Sequence, residues 1–230
     1  QGILAALEQA FHFGFPLDAQ AILLIELDGL EAGLDAQRDR VVEICRQTGA
    51  REVRRADDPH ERLKLWKCRK QAFGAIGRIS DYYCMDGTIP RKRLGEMLTA
   101  IKRMEARYGL RCINVFHAGD GNLHPLILFD ANQSGELERA ESFGADILEL
   151  SVALGGTITG EHGVGIEKIN QMCTQFGAAE RTQFFLVKEA FDPAGLLNPG
   201  KAIPTLHRCA EYGRMKVSKG HVPYPDIPRF

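Results

Sequence analysis

Residues 114–126 read NVFHAGDGNLHPL and predict a β-hairpin that carries two histidines, His117 and His124. β-prone residues precede the Gly-Asp-Gly-Asn cluster of this stretch, and an apolar run, 126–129, follows it. Glycine, aspartate and asparagine between two such runs are typical of a tight turn. One histidine ends the incoming strand and the other begins the outgoing strand. We therefore expect the two imidazoles to approach each other across the mouth of the hairpin.

A second glycine-rich segment offers a further metal ligand. Residues 155–168 read GGTITGEHGVGIEK, in which a short β-prone piece is followed by Glu161 and His162 between glycines. Glycines let the backbone turn sharply and leave room for a ligand beside the two side chains. His117, His124 and Glu161 would form a two-histidine, one-carboxylate set for a divalent metal, and His162 is then left as a base. The histidine spacing alone is a weak signal, and the alternative is that these are ordinary hydrogen-bonded residues.

The composition limits the classes of partner. With 29 basic and 30 acidic side chains, the charge balance gives no indication of nucleic acid or an anionic membrane surface. No apolar run reaches the length of a transmembrane span, and the N-terminus lacks a signal-peptide pattern. The 6 cysteines form no Cys-x-x-Cys pair, which favours reduced thiols and a cytoplasmic location over a disulfide framework or a sulfur-bound metal.

The remaining pattern predicts alternating strands and helices. A buried strand is expected at 21–27, a second short strand at 52–55, and a strand or extended connector at 82–89. Helices are expected at 34–48, 93–108, 135–154, 169–176 and 179–191. A further helix is expected to begin at a cap formed by Asp57 or Asp58, with Pro59 in its first turn, and to end at Gly74 or Gly77. Together with the hairpin they predict an α+β fold, in which helices cover a mainly antiparallel sheet.

Four separated motifs carry a resemblance to a known family. In chain order they are DYYCMDGTIPR (81–91), HAGDGNLHP (117–125), GGTITGEHGVG (155–165) and FDPAGLLNPGK (191–201). Together they resemble the C-terminal domain of FAD-linked oxidases of the vanillyl-alcohol-oxidase type. Within that family the chain is most similar to the FAD-binding subunits of bacterial glycolate oxidases, which are related to flavin-dependent D-lactate and D-2-hydroxyglutarate dehydrogenases.

The resemblance implies a domain organisation and partners. Residues 1–203 would form the substrate domain, and 204–230 would be a tail packed on it or on an FAD-binding domain. The sequence has no glycine-rich pyrophosphate cradle, so an N-terminal domain absent from this chain would hold most of the FAD, and the chain alone would be inactive. The implied partners are a small 2-hydroxy acid and other glycolate oxidase subunits, without nucleic acid. The implied location is cytoplasmic, with peripheral association at the inner face of the membrane as an alternative.

The resemblance also implies roles in a reaction. The substrate carboxylate would lie near Arg69, in the helical segment 66–72 (WKCRKQA), and the substrate hydroxyl on a zinc or iron ion held by the three predicted ligands. His162 would accept the hydroxyl proton while the α-hydrogen leaves as hydride to the flavin. The alternative for Arg69 is an ordinary cation on a helix surface.

Two asparagines are implied in cofactor or substrate contacts. Asn122, in the hairpin turn, would orient the substrate or a ligand, and Asn198 would lie close to the flavin. The alternative for Asn198 is an Asn-Pro-Gly turn that ends a helix. Dehydrogenases of D-2-hydroxyglutarate carry a lysine where Cys84 falls and a hydroxyl residue near Phe73. The absence of both favours a small acid, glycolate or D-lactate, over a D-2-hydroxyglutarate-type substrate.

Two other functional classes stay open. The first is a self-sufficient metal hydrolase that uses the same three ligands; the lack of a helical His-Glu-x-x-His motif or a nucleophile elbow weakens it. The second is a non-catalytic metal-binding or assembly module. It would be favoured if the hairpin imidazoles proved metal-free and pointed into backbone hydrogen bonds.

Overall fold

The computed structural model describes residues 2–12, 14–56 and 58–204, and the chain divides into two compact units, Gln1–Ile79 and Ser80–Phe230. The first unit contains the helices α1 (Gly2–Phe11), α2 (Glu31–Gln47) and α3 (Pro59–Gly77). The second contains β1 (Asp81–Cys84), β2 (Gly87–Thr88), a 3₁₀ turn (Arg91–Arg93), α4 (Leu94–Tyr108), β3 (Cys112–His117), β4 (Asn122–Phe129), α5 (Glu136–Ala153), α6 (Met172–Gln175) and α7 (Ala178–Phe191). Within these described ranges, no helix is both long and apolar enough to cross a membrane.

The predicted domain boundaries stay predictions. The two units divide the predicted substrate domain, 1–203, after Ile79. Apart from Pro204, the predicted tail, 204–230, lies outside the described residues.

Helix α3 begins where the sequence predicts. The carboxylate of Asp58 accepts hydrogen bonds from the backbone N–H groups of His60, at 2.7 Å, and Glu61, at 2.9 Å. Pro59 occupies the first turn, where its missing N–H costs no helical hydrogen bond. Arg69 lies farther along the same helix and is partly buried.

The two strands predicted in the first unit are wrong. Residues 21–27 and 52–55 form no strand, and Ile22, Leu23 and Ile25 are 47%, 66% and 44% exposed. A strand is stable only when its backbone N–H and C=O groups pair with a neighbouring strand. No described strand pairs with either segment, so their β-prone composition has no sheet to join.

The antiparallel sheet lies in the second unit, with β4 at its centre. Strand β3 pairs along one edge of β4, and β1 and β2 pair in succession along the other edge. Helix α5 contacts β1, β2 and β4, while α4 contacts β3 and α5. The core between helices and sheet includes the fully buried side chains of Met97, Ile101, Leu123, Ile127, Phe143 and Ile147. The predicted α+β fold, a mainly antiparallel sheet covered by helices, is confirmed.

The cysteines do not all behave as predicted. Cys45, Cys68, Cys84 and Cys112 are free thiols, whereas Cys173 is disulfide-bonded. The expectation of reduced thiols therefore does not hold for Cys173. A disulfide requires that the fold bring two Cβ atoms close, and sequence spacing does not report this distance.

Candidate functional site

The β3–β4 hairpin places His117 and His124 on the same face of the sheet. His117 lies opposite Asn122 in the register and His124 lies opposite Val115, so the two histidines are diagonal neighbours. Their ring centroids are 5.5 Å apart, with the rings nearly perpendicular at 84°. Gly121 closes the turn with a φ of +74°, and a Cβ there would lie 2.1 Å from a neighbouring backbone carbonyl oxygen. The turn therefore requires glycine at this position.

The 155–168 loop reaches the hairpin because it is anchored to β2. Thr157 and Thr88 exchange two backbone hydrogen bonds, of 3.0 and 3.1 Å, and their hydroxyl oxygens lie 2.7 Å apart. A Cβ on Gly156 would lie 1.8 Å from the carbonyl oxygen of Thr88, so this close approach also requires glycine. Beyond the anchor the loop places Glu161 close to the two histidines.

The structure brings the three predicted metal ligands together. The Oε1 atom of Glu161 is 2.7 Å from Nε2 of His124 and 3.7 Å from Nε2 of His117. The three ligand atoms all lie within 4.8 Å of one another. The side chain of His124 is buried, whereas those of His117 and Glu161 are about half exposed. Two imidazole nitrogens and a carboxylate oxygen suit Zn²⁺ or Fe²⁺, so the residues present fit a divalent metal.

The surroundings of His124 and Glu161 also suit a metal. Burial lowers the pKa of His124, although the hydrogen bond to the Glu161 carboxylate acts in the opposite direction. The imidazole is therefore neutral near pH 7, as a metal ligand must be. The buried amide of Asn122 donates a hydrogen bond of 3.0 Å to Oε1 of Glu161. Asn122 therefore orients this carboxylate, whereas its predicted contact with a cofactor stays a prediction.

The side chain of His162 lies beside His124, one of the three predicted metal ligands. Its ring stacks on that of His124, with centroids 5.0 Å apart and planes inclined by 15°. A cavity of about 300 Å³ adjoins it, lined also by Cys84, Lys201 and residues 163–168 of the loop. An exposed imidazole at the edge of a cavity can exchange a proton with a small molecule bound there.

Asp86 belongs to this site and was missed in the sequence. It is fully buried, and its carboxylate accepts hydrogen bonds of 2.9 Å from the Thr159 hydroxyl and from the backbone N–H of His162. Burial alone would raise the pKa of Asp86, but the His162 N–H and the ammonium group of Lys168 hold that pKa well below its ordinary value. In the sequence, an aspartate before glycine indicates only a turn, and these partners lie more than seventy residues away along the chain.

The other two predicted residues, Arg69 and Asn198, lie in different units. Arg69 is in α3 of the first unit, and Asn198 is exposed in the second. Asn198 has a φ of +45°, a conformation that asparagine adopts more readily than most residues, as expected of a turn. Its side-chain oxygen accepts a hydrogen bond of 3.5 Å from Lys201. A contact of Arg69 with substrate and of Asn198 with flavin both stay predictions.

Replacing Gly160 with alanine is expected to weaken metal binding by about tenfold. A Cβ at this position would lie 2.5 Å from Oδ1 and 2.9 Å from Nδ2 of Asn122. Because that amide is buried, it would have to move away from Glu161. Titration with Co²⁺, followed by its visible absorption, measures the affinity. Gly95→Ala in α4 is the matched control, since a Cβ there meets nothing within 4 Å. Equal affinity in the two variants would contradict the orienting role of Asn122.

The sequence of this chain matches a known protein family and several known proteins. Residues 3–202 match the family described as FAD linked oxidases, C-terminal domain. The glycolate oxidase subunit GlcD of Escherichia coli (strain K12) is 59% identical over 228 residues, which are 99% of this chain and 46% of that protein. The subunit of the same name from Bacillus subtilis (strain 168) is 36% identical, over 87% of this chain and 43% of its own length.

A third relative extends the comparison to another 2-hydroxy-acid enzyme. The mitochondrial D-lactate dehydrogenase (cytochrome) of Arabidopsis thaliana is 30% identical, over 81% of this chain and 33% of its own length. The chain therefore spans less than half the length of these relatives. The predicted resemblance is confirmed, and the chain belongs to the family of FAD linked oxidases, whose C-terminal domain it matches.

Proposed function

We propose that this chain is the substrate-side domain of a flavin-dependent oxidoreductase that converts a small 2-hydroxy acid, glycolate or D-lactate, into the 2-oxo acid. One observation carries the proposal: three imidazoles and a carboxylate converge beside a cavity of about 300 Å³. The names of the relatives, glycolate oxidase subunit and D-lactate dehydrogenase, support this class of substrate. An N-terminal FAD-binding domain and other subunits of a glycolate oxidase are the proposed partners.

The residues His117, His124 and Glu161 would hold a divalent metal through their Nε2, Nε2 and Oε1 atoms. Bound there, zinc or iron would act as a Lewis acid and lower the pKa of the substrate hydroxyl. Three protein ligands leave a coordination position for that hydroxyl. Asn122 keeps the carboxylate of Glu161 turned towards the histidines through its 3.0 Å hydrogen bond.

His162 would take the proton of the substrate hydroxyl. It adjoins the cavity and stacks on His124, so a hydroxyl placed at the three ligands would lie close to its ring. A bound flavin would accept the hydride from the α-carbon. In such a reaction the substrate would give its hydroxyl proton to His162 and its α-hydrogen as hydride to the cofactor, so that the C–O bond would become a carbonyl.

We propose that this chain would contact FAD only at the flavin ring. The sequence has no glycine-rich cradle for the pyrophosphate, so another domain would bind that part of the cofactor. The exposed amide of Asn198 is able to donate to a flavin ring, and we assign it that role.

Two cations are candidates for holding the substrate carboxylate. Family resemblance implies Arg69, whose guanidinium can bind a carboxylate through two parallel hydrogen bonds. Lys201 lines the cavity beside His162 and is the candidate that the geometry adds. Cys84 at the same cavity supplies no charge for a second carboxylate, which favours glycolate or D-lactate over a dicarboxylic acid.

Reduction of the flavin tests this function. In the holoenzyme that joins this domain to its FAD-binding domain, anaerobic mixing with glycolate or D-lactate is expected to bleach the flavin absorbance. Acetate, which lacks the hydroxyl, is the matched control and should leave the absorbance unchanged. Chelation of the metal should stop the bleaching, and added Zn²⁺ or Fe²⁺ should restore it. An enzyme that no 2-hydroxy acid reduces would refute the proposal, and bleaching that survives complete metal removal would refute the role of the metal.

A further inference from the structure

We propose that Asp86, held by Lys168, is a positioning residue that fixes the bend of the 155–168 loop. The inference rests on the proposed function, which makes Glu161 a metal ligand and His162 the proton acceptor. Asp86 acts through the backbone of the loop from which these two side chains project. It is not itself assigned a contact with substrate or metal.

Asp86 lies in a backbone segment whose neighbouring residues on both sides are hydrogen-bonded or paired in the sheet. It lies between β1 and β2, and the N–H of the preceding Met85 donates a hydrogen bond of 3.1 Å to the carbonyl oxygen of Pro125. The following Gly87 lies opposite Leu123 in the β2–β4 register. The backbone on either side of Asp86 is therefore fixed by the sheet.

The carboxylate binds the loop through a run of consecutive donors. It accepts hydrogen bonds from the backbone N–H groups of Gly160 at 3.1 Å, Glu161 at 3.2 Å and His162 at 2.9 Å. The Thr159 hydroxyl donates a fourth, at 2.9 Å. Successive N–H groups of an extended segment point to opposite sides, so three that meet one carboxylate require a bent backbone. The bend lets two adjacent side chains serve the same centre.

The Asp86 carboxylate is also paired with the buried ammonium group of Lys168. Its ammonium group donates to the Asp86 carboxylate at 3.1 Å, to the Asp86 carbonyl oxygen at 3.2 Å and to the Thr159 hydroxyl at 3.4 Å. The Lys168 side chain is only 4% exposed. A buried charge is stable only when it is paired and hydrogen-bonded, so each of these two groups requires the other.

The geometry argues against Asp86 as a metal ligand. Asp86, His124 and His162 also lie close enough to hold an ion. The Asp86 oxygens, however, already accept hydrogen bonds from four loop donors and from Lys168. All five of these hydrogen bonds end on Oδ2 of Asp86, so a metal bound to that oxygen would have to displace them, and Oδ1 accepts a further bond of 3.2 Å from the Glu161 N–H. The carboxylate of Glu161, in contrast, is half exposed.

The side chains of Glu161 and His162 both contact His124, so the bend of the loop sets the geometry around this histidine. Its Nε2 lies 2.7 Å from Oε1 of Glu161, and its ring stacks on that of His162 at 5.0 Å. A shift of the loop would move the metal ligand and the proton acceptor together. Errors of about 1 Å in catalytic geometry commonly cost about 100-fold in rate.

The substitution Asp86→Asn tests the proposal, because an amide N–H would then face loop N–H groups that need an acceptor. Co²⁺ affinity is expected to fall by about 10- to 100-fold, and kcat for flavin reduction by a similar factor, with little change in KM. Ile101→Ala, in the core of α4, is the control for general destabilisation: it should lower the Tm and keep the Co²⁺ affinity of the folded protein. Wild-type affinity and kcat in folded Asp86→Asn would overturn the proposal.

A double variant separates positioning from fold stability. Adding Lys168→Met to Asp86→Asn removes the unpaired ammonium group and should recover part of the lost Tm. If Co²⁺ affinity returns with the Tm, Asp86 is merely structural and the proposal fails; if affinity stays low, the proposal is supported. Should Asp86→Asn not fold, Thr159→Val removes one donor, and a Co²⁺ affinity reduced several-fold supports the proposal whereas wild-type affinity refutes it.

Failure of the metal site itself would be recognised separately. If the wild-type protein binds no Co²⁺, the metal part of the proposed function is refuted. Hydrogen exchange at the Glu161 and His162 amides then decides the role of Asp86. Exchange that is slow in the wild type and fast in Asp86→Asn supports positioning, and equal rates overturn it.

Discussion

Replacing Glu161 with glutamine is expected to weaken divalent-metal binding by about 100-fold or more. Loss of a residue that merely orients a metal ligand costs about 10- to 100-fold in affinity, so loss of the one anionic ligand in the set should cost at least the upper value. Glutamine keeps the size of the side chain and removes its charge. Glutamine keeps an oxygen that can accept the hydrogen bond from Asn122, so the free energy of unfolding without metal should change by only about 1 kcal/mol.

Thermal unfolding with and without metal measures this effect. At a free Co²⁺ concentration of about 100 times the wild-type Kd, binding should stabilise the wild type by about 2.7 kcal/mol and the variant by only about 0.4 kcal/mol. Glu138→Gln on the exposed face of α5 makes the same chemical change away from the site and should behave as wild type. If Glu161→Gln is stabilised as strongly as this control, Glu161 is not a ligand.

Replacing His162 with alanine should lower the rate of flavin reduction in the holoenzyme by about 10²- to 10⁴-fold, the usual cost of losing a general base. The variant keeps His117, His124 and Glu161, so its metal affinity should stay close to that of the wild type. Stopped-flow reduction by saturating glycolate measures the rate, because saturation removes any effect on substrate binding.

The comparison of the two variants separates binding from proton transfer. Glu161→Gln should lose metal and rate together, whereas His162→Ala should lose rate alone. A wild-type rate of flavin reduction in His162→Ala would mean that the ring is structural and that the proton leaves by another route. Loss of metal in His162→Ala would instead place that imidazole among the ligands.

The hairpin and the start of α3 could be predicted because the interactions that form them are local. The turn at Gly121 requires a positive φ, and Asp58 caps α3 through groups two and three residues away. Such contacts lie within a few residues of sequence, so composition and spacing reveal them. Family resemblance added the candidate site residues, since their motifs stand in order along the chain.

The 21–27 segment shows where local pattern fails. Its apolar residues have the composition of a buried strand, yet they form none. Strand formation depends on a partner strand that is often distant in sequence, and the β-propensity of a segment does not report whether such a partner exists. The same limit applies to Cys173, because its disulfide depends on proximity in space.

The sequence by itself determined the hairpin with its two histidines, the start of α3 at its Asp58 cap and the family. Only the tertiary structure decided that Asp86 joins the site, because its carboxylate meets donors seventy-three to eighty-two residues further along the chain. The close approach of Glu161 to His124 depends likewise on the Thr88–Thr157 bridge, which closes a long loop through backbone atoms. Every non-proline residue has the same backbone N–H and C=O groups, so the sequence does not show which distant segments form backbone hydrogen bonds with each other.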